Sequence, residues 1–111
     1  VSFKHAFAGL YYCLRTHPNF RFHLFATLVV TVLGYYLHLS SLEWLILTFT
    51  VFIVLTAEMI NTALESLTDL ITTDYKLEAK IAKDVSAGMV LLSAFVSLLV
   101  AAIIFLPHLI K

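Results

Sequence analysis

The sequence has little of what breaks or cross-links a chain. Its 111 residues include one Cys, three Gly and two Pro, and only 13% are charged. A lone cysteine, Cys13, excludes an intrachain disulfide and any CxxC redox or metal motif, and it reads as a small apolar residue. So few breakers argue against a many-stranded barrel or a disordered chain and favour long helices. Charge of one sign is also missing. Seven Lys and Arg balance seven Asp and Glu, so no net field draws the chain to nucleic acid. There is no GxxxxGK[ST] loop, no GxGxxG, no DFG, no GxSxG and no HExxH, so a bound nucleotide would have to be held in another way. What the chain does have is apolar surface. Hydrophobic residues reach 61% and mean hydropathy +0.98, against about 45–50% apolar in ordinary globular domains.

The expected architecture is a single all-α membrane domain over residues 1–111. Residues 1–20 place Phe3, Phe7, Leu10, Tyr11 and Leu14 at helical spacing, as an amphipathic helix on a membrane surface would. The run 22–39, FHLFATLVVTVLGYYLHL, is about long enough to cross a hydrocarbon core of roughly 30 Å. Tyr36, Leu37 and His38 give it no small-residue cleavage pattern, so it is expected to stay as an anchor. A second helix, 42–71, is longer than a bilayer needs and should project into water. A third span covers 87–106, with Pro107 expected to close it. Lys4, Arg15 and Arg21 precede the first span, and Lys76, Lys80 and Lys83 lie between the second and third. The 38–43 connection has no Lys or Arg, and Lys111 alone follows the third span. By the positive-inside rule the N-terminus and the 72–86 segment face the cytoplasm. The start at Val1, without Met, is compatible with residues upstream.

The segment AEMINTALESLTDL breaks the apolar pattern. Glu58, Asn61, Thr62, Glu65 and Asp69 fall within roughly 100° of helical arc. Three carboxylates on one face repel unless a cation or basic groups come between them. A solvated face accounts for Asp69, but Glu58 lies about 22 Å along the axis from Glu43, at or inside the inner membrane boundary. Ionisable groups at that depth usually serve a functional cavity. Lys76, Lys80, Lys83 and Asp84 precede the third span. Lys76 serves as a topology determinant, whereas Lys83 with Asp84 suits phosphate. Ser86, Ala87 and Gly88 would let a helix or ligand come close. The five His are dispersed, and interfacial packing is the default reading for each.

At these residues the chain resembles the prokaryotic diacylglycerol kinase and undecaprenol kinase family of small membrane lipid kinases. The pattern Glu-x-x-Asn-(Ser/Thr)-Ala-x-Glu-x-x-x-Asp stands here as Glu58, Asn61, Thr62, Ala63, Glu65 and Asp69, and AKDxxAG as Ala82, Lys83, Asp84, Ala87 and Gly88. The likeness covers nearly the whole chain. It implies a homotrimer of nine transmembrane helices, with active sites shared between subunits at the cytoplasmic face of a bacterial membrane, and ATP with Mg2+ as cofactors. By position, the resemblance makes Glu58 the general base and Glu65 a metal ligand. Asn61 would help hold phosphate and metal, Lys83 would contact the β/γ-phosphates and Asp84 would orient the nucleotide. Tyr75, Lys80 and Asp69 are its neighbours. The family carries a second metal carboxylate where this chain has His17, which makes His17 the candidate at that metal position, although magnesium prefers oxygen.

The stretch Asn19, Phe20, Arg21, Phe22, His23 looks more like the undecaprenol kinase branch, so undecaprenol is the expected substrate. Diacylglycerol is the alternative, since both lipids offer one hydroxyl on long chains. From another class, Glu58 and Glu65 could be relay carboxylates of an oligomeric proton or cation pathway. Against that, polar groups concentrate at one end, and the spans beyond hold only scattered Thr31, Thr48, Thr50 and Ser97.

Overall fold

Each helix begins and ends where the sequence supplies a cap or a break. The structure, a computed structural model, describes residues 2–110. Val1, at the start of the expected surface helix, and Lys111, the basic residue after the third span, lie outside the described residues. Four helices follow in order: α1 Phe3–Thr16, α2 Pro18–Tyr36, α3 Ser41–Ile71 and α4 Leu77–Leu109.

The expected surface helix over 1–20 is divided. His17, which precedes Pro18, is held extended at φ −117° and ψ 106°, because the proline ring excludes the helical region for the residue before it. Pro18 then opens α2, where its missing N–H costs nothing. Residues 18–21 therefore belong to the second helix. Arg21 reaches back across the break and donates to the carbonyls of Leu14 and Arg15, both at 2.9 Å, so it satisfies acceptors that the end of α1 leaves open.

The α2 helix ends at Tyr36, before the expected Leu39. Leu39 N–H donates to the Gly34 carbonyl at 3.2 Å and His38 N–H to that of Tyr35 at 3.3 Å, with His38 at φ 57°. This is the Schellman pattern, with His38 in the left-handed position usually given to Gly. Ser40 starts α3 with a capping box: its Oγ accepts from Glu43 N–H at 3.2 Å, and Glu43 Oε1 accepts from Ser40 N–H at 2.9 Å. The third apolar run lies in α4, which begins at Leu77 and so carries Lys80, Lys83 and Asp84 on the helix itself. Pro107 does not close it. It sits in the last turn, where the lost N–H removes a single bond, and the helix runs on to Leu109, with Ile110 N–H donating to the Leu106 carbonyl at 3.1 Å.

The chief packing is α3 along α4; α2 lies on α3 and α1 touches α2. The molecule measures 55 × 33 × 21 Å. Leu39, Leu47, Ile104 and Phe105 form a buried cluster at the end where α2 turns into α3, with Leu33, Trp44 and Val100 packed around it. Most other apolar side chains, including Phe49, Phe52, Leu91, Leu98 and Ile103, face outward, as they do where lipid rather than water is the solvent. Among the described residues two helices, α3 and α4, are long and apolar enough to cross a membrane. The α2 helix has 19 residues and spends its first turns on Asn19, Arg21 and His23.

Candidate active site

The polar stripe of α3 runs from the interior of the bundle toward the end formed by residues 72–76. Glu58 is its deepest member, only 3% exposed. Its Oε1 is the one fully buried side-chain oxygen among the described residues without a hydrogen bond. His23 of α2 brings Nε2 to 3.3 Å from that oxygen, close enough for charge to matter but out of line for a bond. Thr62, one turn on, is also buried and returns its hydroxyl to the Glu58 carbonyl at 3.0 Å.

Asn61 and Glu65 are half-buried on the face that meets α4. Ser86, 2% exposed, donates its hydroxyl to Asn61 Oδ1 at 2.8 Å. This fixes the amide so that Nδ2 donates to Glu65 Oε1 at 3.2 Å. A carboxylate only accepts, so the series Ser86 to Asn61 to Glu65 has one direction. Lys83 donates to Asp69 Oδ1 at 2.7 Å. That bond, reinforced by the charges of Asp69 and Glu65, raises the Lys83 ammonium above the ordinary lysine pKa of 10.5. Lys80 pairs with Asp84 one turn along α4.

Asp69, Asp74, Tyr75, Lys80, Lys83 and Asp84 line one open groove of about 450 Å3. Lysine and carboxylate side chains around an open mouth suit a phosphate-bearing ligand that arrives from water. A second groove, about 440 Å3 and almost wholly apolar, runs between α3 and α4 past Ile53, Ala57, Ile60, Met89 and Val96, at the height of Glu58 along the helix but on another face of it. The molecule thus offers a wet approach and a greasy approach on either side of the Asn61–Glu65 pair.

His17 is not drawn into this arrangement. Its Nδ1 bonds with Thr16 Oγ1 at 2.7 Å and its ring lies 6.2 Å from that of Tyr12. Among the described residues no three His, Cys, Asp or Glu side chains converge as a metal cage. Magnesium does not require one, since it commonly takes one or two carboxylates and completes its shell with phosphate oxygens and water. Glu65, with one oxygen committed to Asn61, fits that limited part.

Two contacts escape the sequence pattern. Ser86 reads as a small spacer, and His23 as an interfacial residue. Only the rotation of α4 and α2 against α3 reveals their partners. For His23 a signal was present: it is an ionisable group at the start of an apolar run, the same signal that marks Glu58.

Comparison with known proteins places the chain in a family. The family model described as prokaryotic diacylglycerol kinase matches residues 4–105. The chain is 40% identical over 108 residues to the undecaprenol kinase of Bacillus subtilis (strain 168), an alignment that covers 97% of this chain and 88% of that protein. It is 41% identical over 112 residues to the diacylglycerol kinase of Synechocystis sp. (strain ATCC 27184 / PCC 6803 / Kazusa), across the whole of this chain and 64% of that protein. With the match extending from α1 through nearly all of α4, this membrane protein belongs to the prokaryotic diacylglycerol kinase family.

Proposed function

We propose that the chain is a lipid kinase that moves the γ-phosphate of ATP to a membrane lipid hydroxyl, with undecaprenol as the substrate and diacylglycerol as the alternative. The observation that carries the reading is Glu58: a buried carboxylate with an unengaged oxygen, less than one helical turn from Asn61 and about two turns from Glu65. A lipid brings its hydroxyl sideways from the membrane while the nucleotide comes from water. The kinase names of both relatives support a nucleotide donor, and the alignment that covers 88% of the undecaprenol kinase favours that lipid.

In this reading Glu58 takes the hydroxyl proton as the lipid oxygen attacks the γ-phosphorus. Phosphoryl transfer depends mainly on position and on neutralising charge. Lys83 supplies charge once it leaves Asp69 for the β/γ-phosphates, Asp84 and Tyr75 orient the nucleotide, and Lys80 frames the mouth. Asn61 and Glu65 hold the phosphate end, where Glu65 would be the carboxylate to hold Mg2+; His17, bonded to Thr16, stands apart from them. A bound magnesium ion would neutralise phosphate charge there.

The larger setting belongs to the same proposal. Three spans, formed by α2, α3 and α4, cross a bacterial cytoplasmic membrane more than once, with α1 on the inner surface and the 72–76 end in the cytoplasm. The outward apolar faces and the exposed Ala87 and Gly88 suit close packing against further copies, as a homotrimer with shared sites. The test is transfer of labelled γ-phosphate from ATP to undecaprenol and to diacylglycerol in detergent micelles with magnesium, with Glu58→Gln as control. Transfer that falls about 10²–10⁴-fold in the variant supports a carboxylate base. Its absence from a folded wild-type chain defeats the reading, and the preferred acceptor identifies the lipid.

A further inference from the structure

Hydroxyls inside the helices follow one habit. Thr27, Thr50 and Thr62 each donate to the carbonyl four residues back. On α4, Ser93 and Ser97 donate to the carbonyls of Val90 and Ala94 at 2.8 and 2.6 Å, as hydroxyls do in apolar helices. Ser86 departs from it. Although only 2% exposed, it donates to Asn61 Oδ1 on α3 at 2.8 Å, the only hydroxyl bond among the described residues that joins side chains of two helices. Its position is an open x of AKDxxAG, so the motif gives it no role.

The bond decides what Asn61 can offer a ligand. A primary amide presents either its carbonyl oxygen, which suits a cation, or its two N–H groups, which suit phosphate. Turned the other way, Oδ1 would face Glu65 Oε1 across 3.2 Å, acceptor against acceptor. Ser86 and Glu65 therefore select one orientation from both ends. Oδ1 is engaged by the hydroxyl, and one N–H of Nδ2 goes to Glu65 Oε1. The second N–H makes no bond among the described residues, and neither does Glu65 Oε2. A donor and an acceptor thus stand side by side, half-buried, on the face of α3 that meets α4.

We infer that Ser86 is a positioning residue for the kinase reaction: it holds Asn61 as a hydrogen-bond donor to the transferring phosphate and keeps the Asn61 carbonyl from serving as a magnesium ligand. The inference rests on the lipid-kinase reading of the site. Phosphoryl transfer spreads negative charge over the equatorial oxygens of the moving group. An N–H already aimed at one of them stabilises that charge without having to reorient during the reaction. Glu65 is left as the oxygen donor of the pair. Phosphate and metal are thus divided between neighbouring side chains by a hydroxyl that touches neither ligand.

The test uses the full chain in detergent micelles with ATP, magnesium and undecaprenol. Ser86→Ala is expected to lower kcat about tenfold, with the magnesium concentration for half-maximal rate within about twofold of wild type. Asn61→Asp exchanges the N–H groups for oxygen. Loss of a phosphate donor should then cost about 10²–10³ in kcat, whereas a metal ligand would be kept or improved. Retained transfer at a lower magnesium requirement overturns the inference. A readout apart from activity is the 15N-resolved side-chain amide of Asn61, titrated with magnesium and the β,γ-methylene analogue of ATP. In wild type the proton not bonded to Glu65 is expected to move downfield, and in Ser86→Ala that shift should shrink as the amide samples both orientations. That measurement decides the matter if a variant does not fold: an unmoved proton in wild type at saturating analogue overturns the inference. An active wild type whose kcat survives Ser86→Ala also overturns it and leaves the kinase reading intact. No transfer to any lipid and no binding of the analogue by a folded wild type removes the kinase reading itself.

Discussion

The two ends of the α3/α4 pair are built on different principles. At one end Leu39, Leu47, Ile104 and Phe105 close around Trp44, a Schellman turn and a capping box hold the α2–α3 connection, and Glu43 takes a bond from His108 Nε2 at 3.0 Å. At the other end Lys83 pairs with Asp69 and Lys80 with Asp84 on side chains 44–62% exposed, and residues 72–76 frame an open groove. Exposed ion pairs are worth little to stability. They can be exchanged for a ligand at small cost, whereas a packed apolar cluster cannot. Fold stability is therefore concentrated at the closed end and the capacity to bind at the open one.

The sharpest way to break this comparison is Gly34→Ala. A Cβ there would lie 2.7 Å from Leu39 Cδ1 and 2.9 Å from the Trp44 ring, so overpacking should cost about 1–3 kcal/mol. Thermal unfolding in detergent should show the loss, while activity per folded molecule stays near wild type. A large fall in kcat instead would mean that the closed end governs chemistry. The complementary change is Ser86→Ala. It removes the hydroxyl that orients Asn61 and should lower kcat about tenfold, worth about 1.4 kcal/mol in the transition state, with little change in melting temperature. A melting loss without a kinetic one would move Ser86 to the structural side.

Smaller effects sharpen the boundary. His38→Gly should stabilise the closed end by about 0.5–1 kcal/mol, because glycine accepts φ 57° without the Cβ penalty. Differential scanning calorimetry would register it. At the open end Asp69 holds the Lys83 ammonium above its ordinary value of 10.5. The stabilisation linked to this raised value is present below the ordinary lysine value and fades as pH climbs through the raised one. In Asp69→Asn the Lys83 charge should be lost at lower pH, so the alkaline limb of kcat/KM for nucleotide should move down. An unmoved limb would show that Lys83 does not set it.

Much of this division was legible in the sequence. The long α3, from the 42–71 run, and the buried Glu58 at the start of the polar stripe follow from hydropathy and helical arithmetic, since both depend on one helix alone. The division at His17 and the continuation of α4 past Pro107 were missed for local reasons. A proline constrains the residue before it more strongly than the following turn, and in a last turn it removes a single bond. The sequence marked His23 as an ionisable group at the start of an apolar run, but not its partner, and the bond of Ser86 with Asn61 left no signal. Thirty-five and twenty-five positions separate these partners, and their meeting depends on how helices rotate against one another.

The hydrogen bond between Ser86 and Asn61 joins two helices as well as two side chains. If α4 slid along α3 by one turn, the hydroxyl would leave Oδ1, the Asn61 amide would be free to flip, and the oxygen of Glu65 that Nδ2 now engages would lose its donor. The register of the two long helices and the aim of one carboxylate are thus a single mechanical variable. A force or neighbour that shears α3 against α4 would be felt at Glu65 without touching it.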